Sequence, residues 1–104
     1  MWAQIIKMRV KPGADDRVGE VMEAIRAAEQ PDSGLIRTLA MRDQADPALI
    51  HTMVVFESEE HARAREQDPR RAEALDAARA LMAEVFELPP EFVNLDVLEE
   101  TVNP

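Results

Sequence analysis

Apolar residues along this chain follow two periods. Runs that alternate with a period of two, as strands do, fall at 2–11, 34–43, 48–57 and 91–100. Stretches with a period near 3.6 fall at 15–29 and 58–86, so the predicted order is βαββαβ. Val18, Val21, Met22, Ile25 and Ala28 share one stripe of the first helix, and Leu75, Ala78, Met82 and Val85 share one stripe late in the second. Ser58 can cap the second stretch, with Glu59 and Glu60 favourable against the helix dipole. Asp68-Pro69 reads as a second N-cap followed by proline at the first helical position, which predicts two helical pieces. Lys11-Pro12-Gly13 ends the first strand in a turn, and the segment from Asp43 to Pro47 makes a hairpin-like link between antiparallel second and third strands. Leu88-Pro89-Pro90 is expected to stop the last helix. Gly19, inside the first stripe, is read as tolerated.

Two helices can cover one face of a four-stranded sheet and no more. Strand parity sorts the residues. Ile6, Met8 and Val10, then Ile50, Val54 and Phe56, then Val93, Leu95 and Val97 form the sets expected to face the helices. The opposite parity holds Ile5, Lys7 and Arg9; Leu49, His51, Met53 and Val55; and Phe92, Asn94, Asp96 and Leu98. The second strand is ambiguous, because Leu35, Leu39 and Met41 share a parity with Arg37. A face this apolar should not stay in water, and a second copy is the simplest cover. The sequence therefore predicts a homodimer joined sheet to sheet, with Ile5, His51, Met53, Phe92, Asn94, Asp96 and Leu98 at the interface.

Composition narrows the function classes. The 104 residues make a single domain, 1–104, that should bury roughly 65% of its unfolded surface, and dimerisation would add to that. Cysteine is absent, which removes disulfide scaffolds, zinc ribbons and thiol chemistry. No apolar run reaches the ~20 residues of a membrane span, and Lys7 and Arg9 interrupt the first strand, so a cytoplasmic protein is expected. The net charge of −9 argues against nucleic acid and anionic membranes as partners. Glycine occurs only at positions 13, 19 and 34, which excludes a P-loop and a dinucleotide fingerprint. His51 is the weak catalytic candidate, with Asp96 as its orienting partner, against a plain hydrogen-bonding role at the interface. His61 reads as a surface residue, and the two histidines with scattered carboxylates do not make metal-ligand spacing. Arg63, Arg65, Arg70, Arg71 and Arg79 mix with Glu59, Glu66, Glu73 and Asp76, which reads as a solvated face with Glu59/Arg63 and Glu66/Arg70 pairs one helical turn apart.

The βαββαβ order, Lys11-Pro12-Gly13 and above all Val55-Phe56-Glu57-Ser58-Glu59-Glu60 resemble the antibiotic-biosynthesis monooxygenase (ABM) domain of the dimeric α+β barrel superfamily. In that family the junction commonly reads tryptophan-x-Ser-x-Glu. The resemblance implies a ferredoxin-like subunit with a four-stranded antiparallel sheet, two sheets packed face to face as a barrel, and a small pocket between sheet and helices. It places the pocket against Phe56, with Thr52, Val54, Met8, Ile6 and Met82 around it. Some relatives oxygenate polycyclic aromatic substrates without metal or flavin, and some degrade haem. The tryptophan of the motif is Phe56 here, the asparagine of cofactor-free members falls on Thr52, and their tyrosine falls near Ala62. The histidine of the haem degraders falls near Glu66. No cofactor and no haem are therefore expected. The resemblance implies binding, and as an enzyme oxidation without cofactor, of a small apolar or aromatic molecule. The alternative is a non-catalytic dimeric ligand-binding or regulatory module, as ACT domains are, although their glycine-rich first turn has a single glycine here. RNA recognition would need exposed sheet aromatics that Ile50–Val55 lacks.

Overall fold

A computed structural model describes all residues, Met1–Pro104. Strand β1 (Trp2–Val10) leads through a 3-10 turn at Asp15–Arg17 into helix α1 (Val18–Ala27). Strands β2 (Leu35–Arg42) and β3 (Leu49–Phe56) form a hairpin, and helix α2 (Glu59–Glu66), a second 3-10 turn (Pro69–Arg71) and helix α3 (Ala72–Val85) follow. Strand β4 (Phe86–Asp96) completes one antiparallel sheet in the order β2-β3-β1-β4. The helical stretch divides where the sequence predicts. The Ser58 hydroxyl accepts from the His61 backbone N–H at 3.2 Å, and the Asp68 carboxylate accepts from that of Arg70 at 2.9 Å. None of the helices is long and apolar enough to cross a membrane.

The helices pack on one face of the sheet and bury two clusters. Met8, Val10, Ala14, Val21, Ile50, Val85 and Phe86 form the larger, and Trp2, Val54, Phe56 and Ala62 the smaller. The helix-facing parities of β1 and β3 are as expected. Gly34 fixes the entry to β2 with φ of +83°, and a Cβ there would lie 2.5 Å from the His61 ring, so only glycine fits. At Gly19 a Cβ would meet nothing within 4 Å, so the helix merely tolerates it.

Two expectations are corrected and one ambiguity is resolved. First, Leu88-Pro89-Pro90 does not separate α3 from a later strand. Strand β4 starts at Phe86, directly after the helix, and the prolines lie within it. As an edge strand it has one unpaired side, where a proline leaves no ladder bond broken. Second, the faces of β4 are exchanged. Phe92, Asn94 and Asp96 pair with Ile6, Gln4 and Trp2 and so share the helix-side face, whereas Val93 and Leu95 pair with Ile5 and Ala3 on the outer face. Leu98 lies past the strand and is 95% exposed. The parity argument assumed that the apolar set must meet the helices, but this end of the edge strand lies beyond their cover, and Asn94 and Asp96 stay exposed. Third, an irregularity between Leu35 and Arg37 resolves β2. Leu35 turns to the helix side, while Arg37, Leu39 and Met41 pair with Val55, Met53 and His51 on the outer face.

Candidate functional site

A cleft of about 850 Å³ lies between the sheet and the helices. It shares lining residues with both core clusters: Met8 from the larger and Val54 from the smaller. Ile6 and Met8 of β1 and Thr52 and Val54 of β3 form its floor, because their common parity aims them at the helices. Met22 and Ile25 of α1 and Leu75 and Met82 of α3 face them, and Leu88 and Phe92 of β4 line the remaining side. Leu88 and Phe92 are 50% and 56% exposed, so the β4 side is open to solvent.

Five of the six residues that the sequence assigns to a pocket meet here: Ile6, Met8, Thr52, Val54 and Met82. Phe56 does not line the cleft. It is buried against Trp2, with ring centroids 6.1 Å apart, and the Arg65 guanidinium lies 5.3 Å from its ring centre. The Thr52 side chain is buried, yet its hydroxyl has no hydrogen-bond partner in the protein.

A basic group shares the lining: Arg26, Arg65, Arg71 and Arg79, against the single carboxylate of Glu29. Arg65 is committed to Glu29 at 2.6 Å, and Ser33 also donates to that carboxylate. Burial by itself would raise the Glu29 carboxyl, but the Arg65 and Ser33 hydrogen bonds and the charges of Arg65 and Arg71 hold it below its ordinary value. Arg71 is 4% exposed; its Nη1 donates to the Arg65 carbonyl at 3.0 Å and its Nε has no partner in the protein. Burial, and then the like charge of Arg65, lower its pKa.

These arginines are what sequence reasoning misses, since the mixed charges of 59–79 read as a wholly solvated face. Arg63 fits that reading, bonded to Glu59 at 3.1 Å and Glu66 at 3.0 Å. Arg70 does not pair with Glu66. The helix breaks between them, and Arg70 holds Asp68 at 2.6 Å and Asp32 at 2.9 Å. The available signal for Arg71 was its position four residues before Leu75 and seven before Ala78, which continues the apolar stripe of α3 into the lining.

His51 lies on the outer face of the sheet, opposite Lys7 and Met41 across the strand ladders, and so faces away from the cleft. Its partner is Asp43 at 3.0 Å, not Asp96, which sits on the other face opposite Trp2. The Asp43 carboxylate also accepts the backbone N–H groups of Ala45 and Asp46, tying the β2–β3 turn to the strand. His61 lines a separate, shallower depression with Asp32, Ser33 and Arg70, and its ring meets Ser58 and Glu57. No cluster of three or more potential metal ligands is present.

The ion pairs carry a pH consequence. The His51 hydrogen bond, followed by the turn amides, depresses Asp43; Arg9 depresses Asp46, and Arg70 depresses both Asp32 and Asp68. With Glu29 these five folded-state values lie below the unfolded ones, so the folded chain binds fewer protons. Their stabilisation is fully present above the ordinary carboxylate range near pH ~4 and is lost as pH falls through the depressed values. Thermal melting followed from pH 7 downward should therefore give a midpoint that drops steeply below pH ~4. A midpoint that stays level to pH ~2 would contradict these assignments.

The model of the antibiotic biosynthesis monooxygenase family matches residues 1–77. No curated protein matches the chain. Among solved structures the chain is similar to NE2512, a protein of unknown function from Nitrosomonas europaea, at 17% identity and a TM-score of 0.74, over 99% of this chain and 94% of that one. It is similar to Rv0793 from Mycobacterium tuberculosis at 16% identity and a TM-score of 0.73, over 97% and 98% of the two chains. A third is a variant of SnoaB, a cofactor-independent oxygenase from Streptomyces nogalater, at 18% identity and a TM-score of 0.70, over 95% and 94%. The sheet order, the helical layer and the family match agree, and the chain belongs to the antibiotic biosynthesis monooxygenase family.

Proposed function

We propose that this protein is a homodimer in which each subunit binds a small apolar or aromatic molecule in the cleft between sheet and helices. The observation that carries the reading is the cleft itself: about 850 Å³, floored by Ile6, Met8 and Val54, with one buried hydroxyl, Thr52, left without a protein partner. A binding site of this size, with an apolar floor and arginines and the Thr52 hydroxyl to orient its occupant, fits a drug-sized molecule. The dimer rests on the outer face, where Leu39, Met41 and Leu95 are 44%, 43% and 39% exposed beside Ile5 and Met53. The interface set proposed from the sequence is revised accordingly. Ile5, His51 and Met53 stay, while Val93 and Leu95 take the places of Phe92, Asn94, Asp96 and Leu98.

Oxidation without a cofactor would depend on the substrate giving up a proton. The lining holds no histidine, tyrosine or asparagine, and Glu29, its one carboxylate, is held at a low pKa by Arg65 and is a poor base. Binding without turnover is therefore the function this chain's own residues support, unless the molecule ionises by itself. Native mass spectrometry of freshly purified protein should show a dimer carrying a co-purifying small molecule, and apolar aromatic compounds should raise its melting temperature. A monomer at micromolar concentration, unmoved by every compound of such a series, would sink the reading.

A further inference from the structure

Within the cleft the charge is opposite to that of the whole chain. The protein carries a net charge of −9, yet the cleft is lined by four arginines and one carboxylate. Arg65 and Glu29 neutralise one another, and Arg79 has an exposed neighbour, Asp76, at 3.7 Å. Arg71 is different. It is buried and charged, because a guanidinium does not give up its proton in a protein, and no carboxylate lies within ion-pair distance of it. The two carboxylates whose charges reach it are bonded elsewhere: Glu29 to Arg65 and Ser33, and Asp68 to Arg70.

A buried cation with no carboxylate in contact is unfavourable unless something else supplies one. The fold does not relieve this one by turning the side chain out to solvent. It fixes the guanidinium through Nη1 to the Arg65 carbonyl and leaves Nε unbonded, in a lining that also holds Leu75 and Met82. Thr52 adds a second buried polar group without a partner. We propose that the cleft is built for an amphipathic anion: an apolar or aromatic body against Ile6, Val54 and Met82, and a carboxylate that supplies the counter-charge of Arg71. This deepens the binding reading above and rests on it. A carboxylate suits the planar fork of a guanidinium, to which it bonds through two oxygens. The Thr52 hydroxyl can meet a second polar substituent on the same body.

The test uses matched pairs on the intact protein: benzoate, naphthoate and anthracenecarboxylate, each beside its neutral carboxamide, titrated by calorimetry at pH 7 with sodium acetate as the head-group control. A charge-assisted bond to a desolvated guanidinium should make the best acid bind about tenfold more tightly than its amide, or more. Acetate alone should bind far more weakly than either, since the apolar body is missing. In Arg71→Met the acid's advantage should vanish while the amide keeps its affinity. Arg71→Lys, which keeps the charge and loses the planar fork, should retain only part of the advantage, and it carries the test if Arg71→Met does not fold. Amides that bind as well as their acids in the wild-type protein would overturn the anion and leave the cleft standing. If neither acids nor amides bind, the cleft reading fails and the anion fails with it. Acetate binding as tightly as naphthoate would show a simple ion site and overturn the amphipathic ligand.

Discussion

Phe56→Ala should lower the free energy of unfolding by about 3–5 kcal/mol, the range for truncating a buried aromatic whose surroundings cannot collapse into the space. Phe56 is 2% exposed and sits between the Trp2 ring, Val54, Ala62 and the Arg65 guanidinium. Removing the ring takes away the aromatic pair with Trp2 and the cation–π contact with Arg65 together. For a domain of this size each kcal/mol lowers the melting midpoint by roughly 4–8 °C, so the loss is easily read by calorimetry or circular dichroism. The value also separates two roles. A residue walling an existing cavity has fewer contacts to lose, so a cost near 1 kcal/mol, accompanied by altered binding of aromatic compounds, would return Phe56 to the cleft wall.

The position of Phe56 illustrates what the sequence does and does not reveal. Its side of β3 was legible, because alternation with Val54 and Thr52 admits one assignment once helices cover a face. The four-stranded order, both helix caps and the break at Asp68-Pro69 were legible for the same reason: each depends on residues next to one another in the chain. The faces of β4 were not. Period-two alternation says that Val93 and Leu95 share a side, but only pairing with Ala3 and Ile5, ninety residues away in sequence, says which side. The depth of Arg71 was likewise hidden, since charge normally marks a solvent-facing position and the inward turn depends on where α3 sits over the sheet. Whether Phe56 lines the cleft or lies behind it is set by tertiary packing, and neither parity nor a motif reports that.

Met53→Lys should convert the proposed dimer to monomers. Met53 stands at the centre of the outer face, paired with Ile5 on β1 and Leu39 on β2, and Lys7 and Arg37 on the same face would repel a new cation. An unpartnered charge buried at an interface costs roughly 3–5 kcal/mol. In a two-fold dimer the substitution occurs on both sides, so the penalty counts twice and moves the dissociation constant by several orders of magnitude. Within a single subunit the position is only half-buried, so the lysine can reach water and the fold itself should lose little. Light scattering or sedimentation at micromolar concentration checks the result. A variant that remains dimeric would show that the subunits meet elsewhere, and the outer face would then need another cover.

The far wall of the cleft comes from beyond the stretch that matches the family. Similarity to the family model ends at residue 77, and Arg79, Met82, Leu88, Pro90 and Phe92 all come after it. The shared segment thus supplies the floor, the α1 side and Arg71, whereas the side open to solvent is contributed by sequence outside the match.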